Sequence, residues 1–109
     1  MALPFDIESL KSHSDWAFDA ALQKQNMLEA CRARQVMAYN NGIFFIDHNH
    51  IAFLHAMKSA NHEKIYMLDH NNNPISVQVT DFLDKSIQRY NEALLSYHQQ
   101  HERLKKLRQ

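Results

Sequence analysis

The chain has 109 residues, with 12 Lys and Arg against 12 Asp and Glu, so its formal net charge is zero and its length is that of one domain. Phosphate binding needs an excess of basic residues, and the balanced charge therefore argues against a protein that holds nucleic acid by bulk electrostatics. The apolar share of 45% lies in the globular range and excludes global disorder.

The single cysteine, Cys31, permits neither an intramolecular disulfide nor a cysteine-based zinc site within one chain. We predict that it is a small buried or half-buried residue on a helix. The N-terminus lacks the basic start and apolar run of a signal peptide. Apolar stretches such as residues 43–46 are far shorter than the roughly 20 residues that span a bilayer. A soluble protein is expected, either intracellular in a reducing compartment or released by lysis.

An N-terminal arm, residues 1–11, precedes the first long helix. Pro4 interrupts this arm, and its apolar residues include Phe5 and Ile7. Such a segment can dock on its own domain or on a neighbouring subunit, so Phe5 and Ile7 are candidate contact residues.

The first long helix is predicted to begin at a capping pattern, in which Ser12 accepts from the backbone and Asp15 lies in the first turn. Strong helix formers continue from there to about Tyr39. Gly42 can adopt the left-handed conformation with which helices commonly end, and so can Asn40 or Asn41, so the helix is predicted to end at residues 40–42.

Residues 43–46, IFFI, are bulky and apolar, which predicts a buried strand. The sequence that follows, DHNHIAFLH, contains the letters HNH, the name of a family of metal-dependent nucleases. Asp47 or Asn49 can cap a second helix that continues to about Ala60. Consecutive side chains on a helix point about 100° apart and cannot converge on one ion, so these letters do not predict a nuclease.

Two alternating segments, residues 64–68 and 75–79, flank the turn-forming sequence DHNNNP. This alternation around a linker predicts a β-hairpin. Its solvent-exposed face is predicted to carry Ser76 and Gln78, and its buried face Val77.

The last helix is predicted to be capped by Thr80. Asp81 and Asp84 lie in its first turn, and basic residues lie at its end, and both groups complement the helix dipole.

The predicted fold is α+β, with a long N-terminal helix, a short strand, a helix, a β-hairpin and a long C-terminal helix, and with a small sheet packed on helices. We assign residues 12–96 to a single domain and residues 97–109 to a projecting helix end.

The most regular pattern in the chain is a four-three spacing along the last helix, which predicts a contact seam. The candidate contacts with an oligomer or partner on this seam are Leu83, Ile87, Tyr90, Leu94, Tyr97, His101 and Leu104. A helix of about 28 residues is about 42 Å long, whereas a domain of this size has a radius of gyration near 13 Å. The second half of the helix therefore outruns the core, where it meets a partner, frays in solvent or pairs with the first helix.

Eight histidines are present, and histidine is a good ligand for zinc, nickel or copper. His48, His55 and His62 share a helical face, but neighbours in this series are about 10 Å apart, too far for one ion with ligands at about 2 Å. The usable i, i+3 spacings supply only a pair of ligands each, Asp47 with His50 and His98 with His101. No metal or other cofactor is predicted.

Other signals of catalysis are missing from the sequence. A single glycine excludes a glycine-rich phosphate loop, and no serine stands in a nucleophile elbow. The helix dipole explains the basic residues near the C-terminus, so nucleic acid is not a predicted partner. We predict no catalytic residues and no enzymatic activity.

The pattern resembles a small uncharacterised domain found in bacteriophage tail and tail-fibre-associated proteins. The resemblance covers residues 23–100 and rests on Arg32 and Arg34 near the end of the first helix, followed by the segments NNGIFFIDHNHIAFLHAM, IYMLDHNNNPISVQV and TDFLDKSIQRYNEALLSYHQQ. No catalytic residue carries over from it. It implies a phage-encoded structural or accessory protein that works by protein contacts, in the host cytoplasm during assembly or in the virion.

Three hypotheses follow. The first is a non-enzymatic, virion-associated or assembly protein that acts by self-association and docking. The second is a phage-encoded inhibitor of a host protein, of the anti-defence type. The third, which the spacing of the histidines disfavours, is a metal-dependent, nuclease-like enzyme. The expected partners are a second copy of the chain and a virion or host protein, and no membrane.

Overall fold

The computed structural model of the protein describes residues 7–107, and the side chains of residues 15–107. Within them the elements in chain order are α1 (Ile7–Arg34), β1 (Val36–Tyr39), β2 (Gly42–Phe45), α2 (His48–Ser59), β3 (Lys64–Leu68), β4 (Pro74–Gln78) and α3 (Val79–Leu107). The predicted α+β fold is confirmed, in the order helix, hairpin, helix, hairpin and long C-terminal helix.

The short strand predicted after the first helix is one half of a hairpin, in which β1 pairs antiparallel with β2. The prediction that the first helix continues to Tyr39 is wrong, because Val36 lies opposite Phe45 and Tyr39 lies opposite Gly42. Pairing between β-branched and aromatic residues here overrides local helix propensity. The strand predicted to be buried is buried on one face only.

The turn of this hairpin is formed by Asn40 and Asn41, which both adopt left-handed backbone conformations, with φ of 50° and 70°. Two successive residues with positive φ match the twist of a tight β-hairpin. Asn40 and Asn41 were two of the three candidates for a left-handed conformation, and the third, Gly42, has a negative φ. Its lack of a side chain instead allows β2 to lie against Ile75 of β4, so the two hairpins pack face to face.

The second hairpin, β3 with β4, forms as predicted, with Ile65 opposite Val77. Val77 is fully buried, Gln78 is exposed and Ser76 is half-buried, so the two faces are oriented as the alternation predicts. The β3–β4 turn is tied to the first hairpin, since the backbone N–H of His70 donates to the carbonyl of Ile43 at 2.7 Å.

The helix starts differ from the predicted caps at two of three places. Ser12 lies inside α1, and Thr80 lies inside α3, which begins at Val79 directly after β4. Asp47 does cap α2, where its Oδ1 accepts the backbone N–H of His50 at 2.8 Å.

The core lies between the two hairpins, α2 and the first half of α3. Its buried members are Phe44, Ile46, Leu54, Val77, Phe82 and Leu83. The ring of Phe82 stacks on Tyr39 with centroids 4.2 Å apart and meets Phe44 edge-on at 4.9 Å. The first half of α3 therefore packs on the domain's own sheets, as predicted.

The second half of α3 lies antiparallel to α1, and the two helices form an elongated extension of the molecule. Cys31 of α1 donates its Sγ–H to the carbonyl of Ala93 at 3.6 Å, while Met27 lies beside Gln100. We call residues 15–31 and 93–107 the stalk. The stalk stretches the molecule to 75 × 26 × 20 Å and its radius of gyration to 21.2 Å, against about 13 Å for a compact domain of 100 residues.

Candidate functional site: two apolar surfaces

The residues predicted as a contact seam on α3 have three different environments. Leu83 is in the core, Tyr90, Tyr97 and Leu104 are half-buried, and Ile87, Leu94 and His101 are exposed. Phe5 lies outside the described residues, and Ile7 is the first residue of α1, with its side chain outside the described part of the chain.

The face of α3 that packs most closely is one residue away from the predicted seam. Ser86 and Ala93 are 0% and 1% exposed, and Gln100 continues this face into the stalk. Small residues let the neighbouring helices approach closely, which explains the contact between Cys31 and Ala93. The inner face is therefore formed partly by residues that hydrophobicity alone does not identify.

The stalk stripe, which we define as Ile87, Leu94 and His101, lies beside this inner face and remains accessible. Ile87 and Leu94 are each 39% exposed. The ring of His101 stacks on that of Tyr97, with centroids 6.2 Å apart, and this holds the aromatic end of the stripe in place. The three residues recur at heptad spacing, so they follow one line along the helix.

The hairpin face, which we define as Val36, Ala38, Ile43 and Phe45, is the outward face of β1 and β2. Val36 pairs with Phe45 and Ala38 with Ile43, so all four side chains share one side of the sheet. Three of them are large, and these are 40%, 45% and 42% exposed in sequence order. An antiparallel sheet that packs one face on the core normally presents polar residues on its other face, whereas this two-stranded sheet is apolar on both faces.

A groove of about 420 Å³ opens on the hairpin face, lined by Val36, Ile43, Phe44, Phe45 and His70. This surface was not predicted from the sequence, because residues 36–39 were expected to be part of a helix. The available signal was two short apolar segments on either side of Asn-Asn, a pair of residues that tolerates the turn of a tight hairpin.

The histidine-rich stretch forms the junction between β2 and α2. His48 and His55 are exposed, and His50 is half-buried with its Nε2 3.3 Å from the hydroxyl of Ser86. Burial holds the pKa of His50 below its ordinary value, against the opposing charge of Asp47. The Ser86 hydroxyl is fully buried, so this pair links α2 to α3 and presents no nucleophile to solvent.

Cys31 is 2% exposed and occupies the helix contact described above, which confirms its predicted role as a small buried residue. Among the described residues, no group of three or more His, Cys, Asp or Glu side chains could hold a metal ion. No helix in the same part of the chain has the length and apolarity required to cross a membrane.

No protein-family model, curated protein or solved structure matches the chain. The two apolar surfaces are therefore the features from which a function can be inferred.

Proposed function

We propose that this protein is a non-enzymatic accessory protein that works by docking to another protein and by self-association. The hairpin face supports the docking role, because Val36, Ile43 and Phe45 expose large apolar side chains on one continuous surface. Contiguous exposed apolar patches on soluble proteins mark interaction sites more often than scattered apolar residues do.

The hairpin face is also suitably rigid for recognition. The turn of the other hairpin holds the backbone of Ile43 by two hydrogen bonds. The N–H of Ile43 donates to the Asp69 carboxylate at 3.2 Å, and the carbonyl of Ile43 accepts from the backbone N–H of His70. A pre-ordered surface loses little conformational freedom when a partner binds. An apolar side chain from that partner would fill the groove beside Phe45.

The setting that we propose is a phage tail or another virion-associated assembly. Support for it comes from the resemblance of residues 23–100 to a domain of phage tail and tail-fibre-associated proteins. A docking protein of this kind needs no catalytic group, and its apolar surfaces become buried in the assembly.

The test places a photo-activated cross-linking amino acid at Phe45, with Lys58, which is exposed on α2, as the matched control position. Irradiation during particle production should attach a virion protein through position 45 and not through position 58, and mass spectrometry of purified particles should detect the chain. A host enzyme captured specifically at position 45 would favour the inhibitor hypothesis. Equal labelling at both positions would contradict docking through the hairpin face.

A further inference from the structure

We propose that α3 of one copy pairs antiparallel with α3 of a second copy, centred on Leu94. This inference rests on the self-association in the proposed function and specifies its interface. The stalk stripe supplies the apolar contacts, and the charges beside it determine the direction of pairing.

The apolar surface of α3 is wider than the surface that α1 covers. In the stalk, Cys31 of α1 contacts Ala93, and other residues of α1 line a shared groove with Gln100, Arg103, Leu104 and Leu107. Leu94 and His101 each follow one of these residues directly and lie about 100° further around the helix. The stalk stripe therefore borders the intramolecular contact without being covered by it, and a second helix can lie alongside.

The charges on α3 are divided between its two ends. Asp81 and Asp84 give the first turns a net negative charge although Lys85 pairs with Asp81 at 3.2 Å, while Arg103, Lys105 and Lys106 outweigh Glu102 in the last turns. A parallel pair in register would place each charged end beside the same end of the second copy, and like charges would oppose the pairing. An antiparallel pair places each acidic end beside a basic end.

The row of residues next to the stalk stripe shows the same complementarity at individual positions. Asp84, Asn91, His98 and Lys105 recur at heptad spacing on the outer flank of the stripe. In an antiparallel pair centred on Leu94, Asp84 lies within one residue, or about 1.5 Å along the axis, of Lys105 of the second copy, and Asn91 lies equally close to the level of His98 of the second copy. The twofold axis makes each of these contacts occur twice.

The three residues of the stalk stripe obey the same symmetry. Leu94 meets Leu94 of the second copy on the axis, and Ile87 meets His101 of the second copy, because both lie at equal distances from Leu94 along the helix. The half-buried Tyr90 and Tyr97 likewise exchange partners across the axis. The globular ends of the two copies then lie at opposite ends of the dimer.

Sedimentation analysis of the full chain tests the interface with two neighbouring substitutions. Leu94→Glu places a charge on the axis and should weaken dimerisation at least about tenfold. Leu95→Glu is the matched control, since Leu95 is 57% exposed and lies about 100° away from Leu94 around the helix. A wild-type monomer, or a dimer equally stable in both variants, would overturn the proposal. Circular dichroism verifies that each variant is folded.

Charge reversal tests the direction of pairing. Asp84→Lys and Lys105→Asp should each weaken the dimer, and the double variant should recover most of the affinity, because only an antiparallel pair joins these positions. In a complementary test, mixing Ile87→Cys with His101→Cys should give a mixed disulfide dimer. Self-cross-linking of Ile87→Cys alone, or an absence of rescue, would exclude the antiparallel arrangement.

These outcomes are separable from those that test docking. A monomeric wild type that still cross-links through position 45 removes the α3 interface and leaves the proposed docking function intact. If the dimer behaves as expected but no partner is cross-linked at position 45, the proposed docking function is removed and self-association through α3 remains.

Discussion

A Cβ atom placed on Gly42 would lie 2.7 Å from Cγ1 of Ile75 and 3.0 Å from Cε2 of Phe44. The two hairpins therefore approach more closely than an alanine would permit. We expect Gly42→Ala to lower the free energy of unfolding by about 1–3 kcal/mol through overpacking, although alanine ordinarily stabilises a strand interior relative to glycine. Urea denaturation measures the change.

The same contact can be isolated with Ile75→Ala, which removes the Cγ1 atom that the new methyl would meet. In that background Gly42→Ala should cost clearly less than it does in the wild type. Equal costs in the two backgrounds would show that the glycine is required for some other reason.

The His50 and Ser86 pair should make stability depend on pH. The pKa of His50 is held below its ordinary value of 6.5 by burial, so on acidification the unfolded chain takes up this proton first. The contribution of His50 is therefore fully present above about pH 6.5 and is lost as the pH falls through the folded-state pKa. His50→Gln should flatten this dependence and His55→Gln, at an exposed position, should not.

Asp69 should stabilise the contact between the hairpins through its carboxylate. Backbone N–H groups of Asn73, Asn71 and Ile43 donate to it at 2.8, 3.0 and 3.2 Å, and these bonds lower its pKa, the bond from Asn73 most strongly. Its contribution is present above about pH 3.8 and is lost as the pH falls through the lower folded-state value. Asp69→Ala should speed hydrogen exchange at the amide of Ile43, while exchange within α2 should stay unchanged.

Arg89 holds the junction between α1 and β1 by donating to one carbonyl on each side of it. Its Nε donates to the carbonyl of Arg34 at 2.7 Å and its guanidinium nitrogen Nη2 donates to that of Val36 at 2.9 Å. Lysine cannot reproduce this forked geometry, and we expect Arg89→Lys to cost about 1–2 kcal/mol in chemical denaturation. Arg32→Lys, on the exposed side of α1, should be close to neutral, and a similar loss there would contradict this account.

The Oε1 atom of Gln100 lies on the side of α3 that faces α1. It is buried and has no hydrogen-bond donor among the described residues. Replacing it with an apolar side chain of similar size removes this desolvated oxygen. We expect Gln100→Met to raise the free energy of unfolding by about 1 kcal/mol. The exposed neighbour gives the control, and a similar gain in Gln99→Met would point to helix propensity as the cause.

Local patterns in the sequence were sufficient for much of the fold. The cap at Asp47, the alternation that builds β3 and β4, and the amphipathic first half of α3 depend on residues close together in the chain. Val36 and Tyr39 could not be placed in this way, because their strand exists only through pairing with β2. The hairpin face was missed for the same reason.

The four-three spacing on α3 predicted only part of how this helix packs. Periodicity indicated that one side of the helix is apolar. On that side Leu83 is buried, and Tyr90 and Tyr97 are half-buried. Periodicity could not separate Ile87 and Leu94, which remain exposed, from Ser86 and Ala93, which make the closest contacts. Hydrophobicity ranks side chains by transfer free energy, whereas close helix packing selects small ones.

The sequence by itself determined the α+β class, the position of α2, the second hairpin and the length of the last helix, because helix propensity, capping and alternation are local. Only the tertiary structure decided that α1 covers one flank of α3 and leaves the stalk stripe open, and that Gly42 is required by Ile75 rather than by a left-handed turn. Both outcomes depend on which surfaces meet, and that depends on the volumes of side chains far apart in the chain.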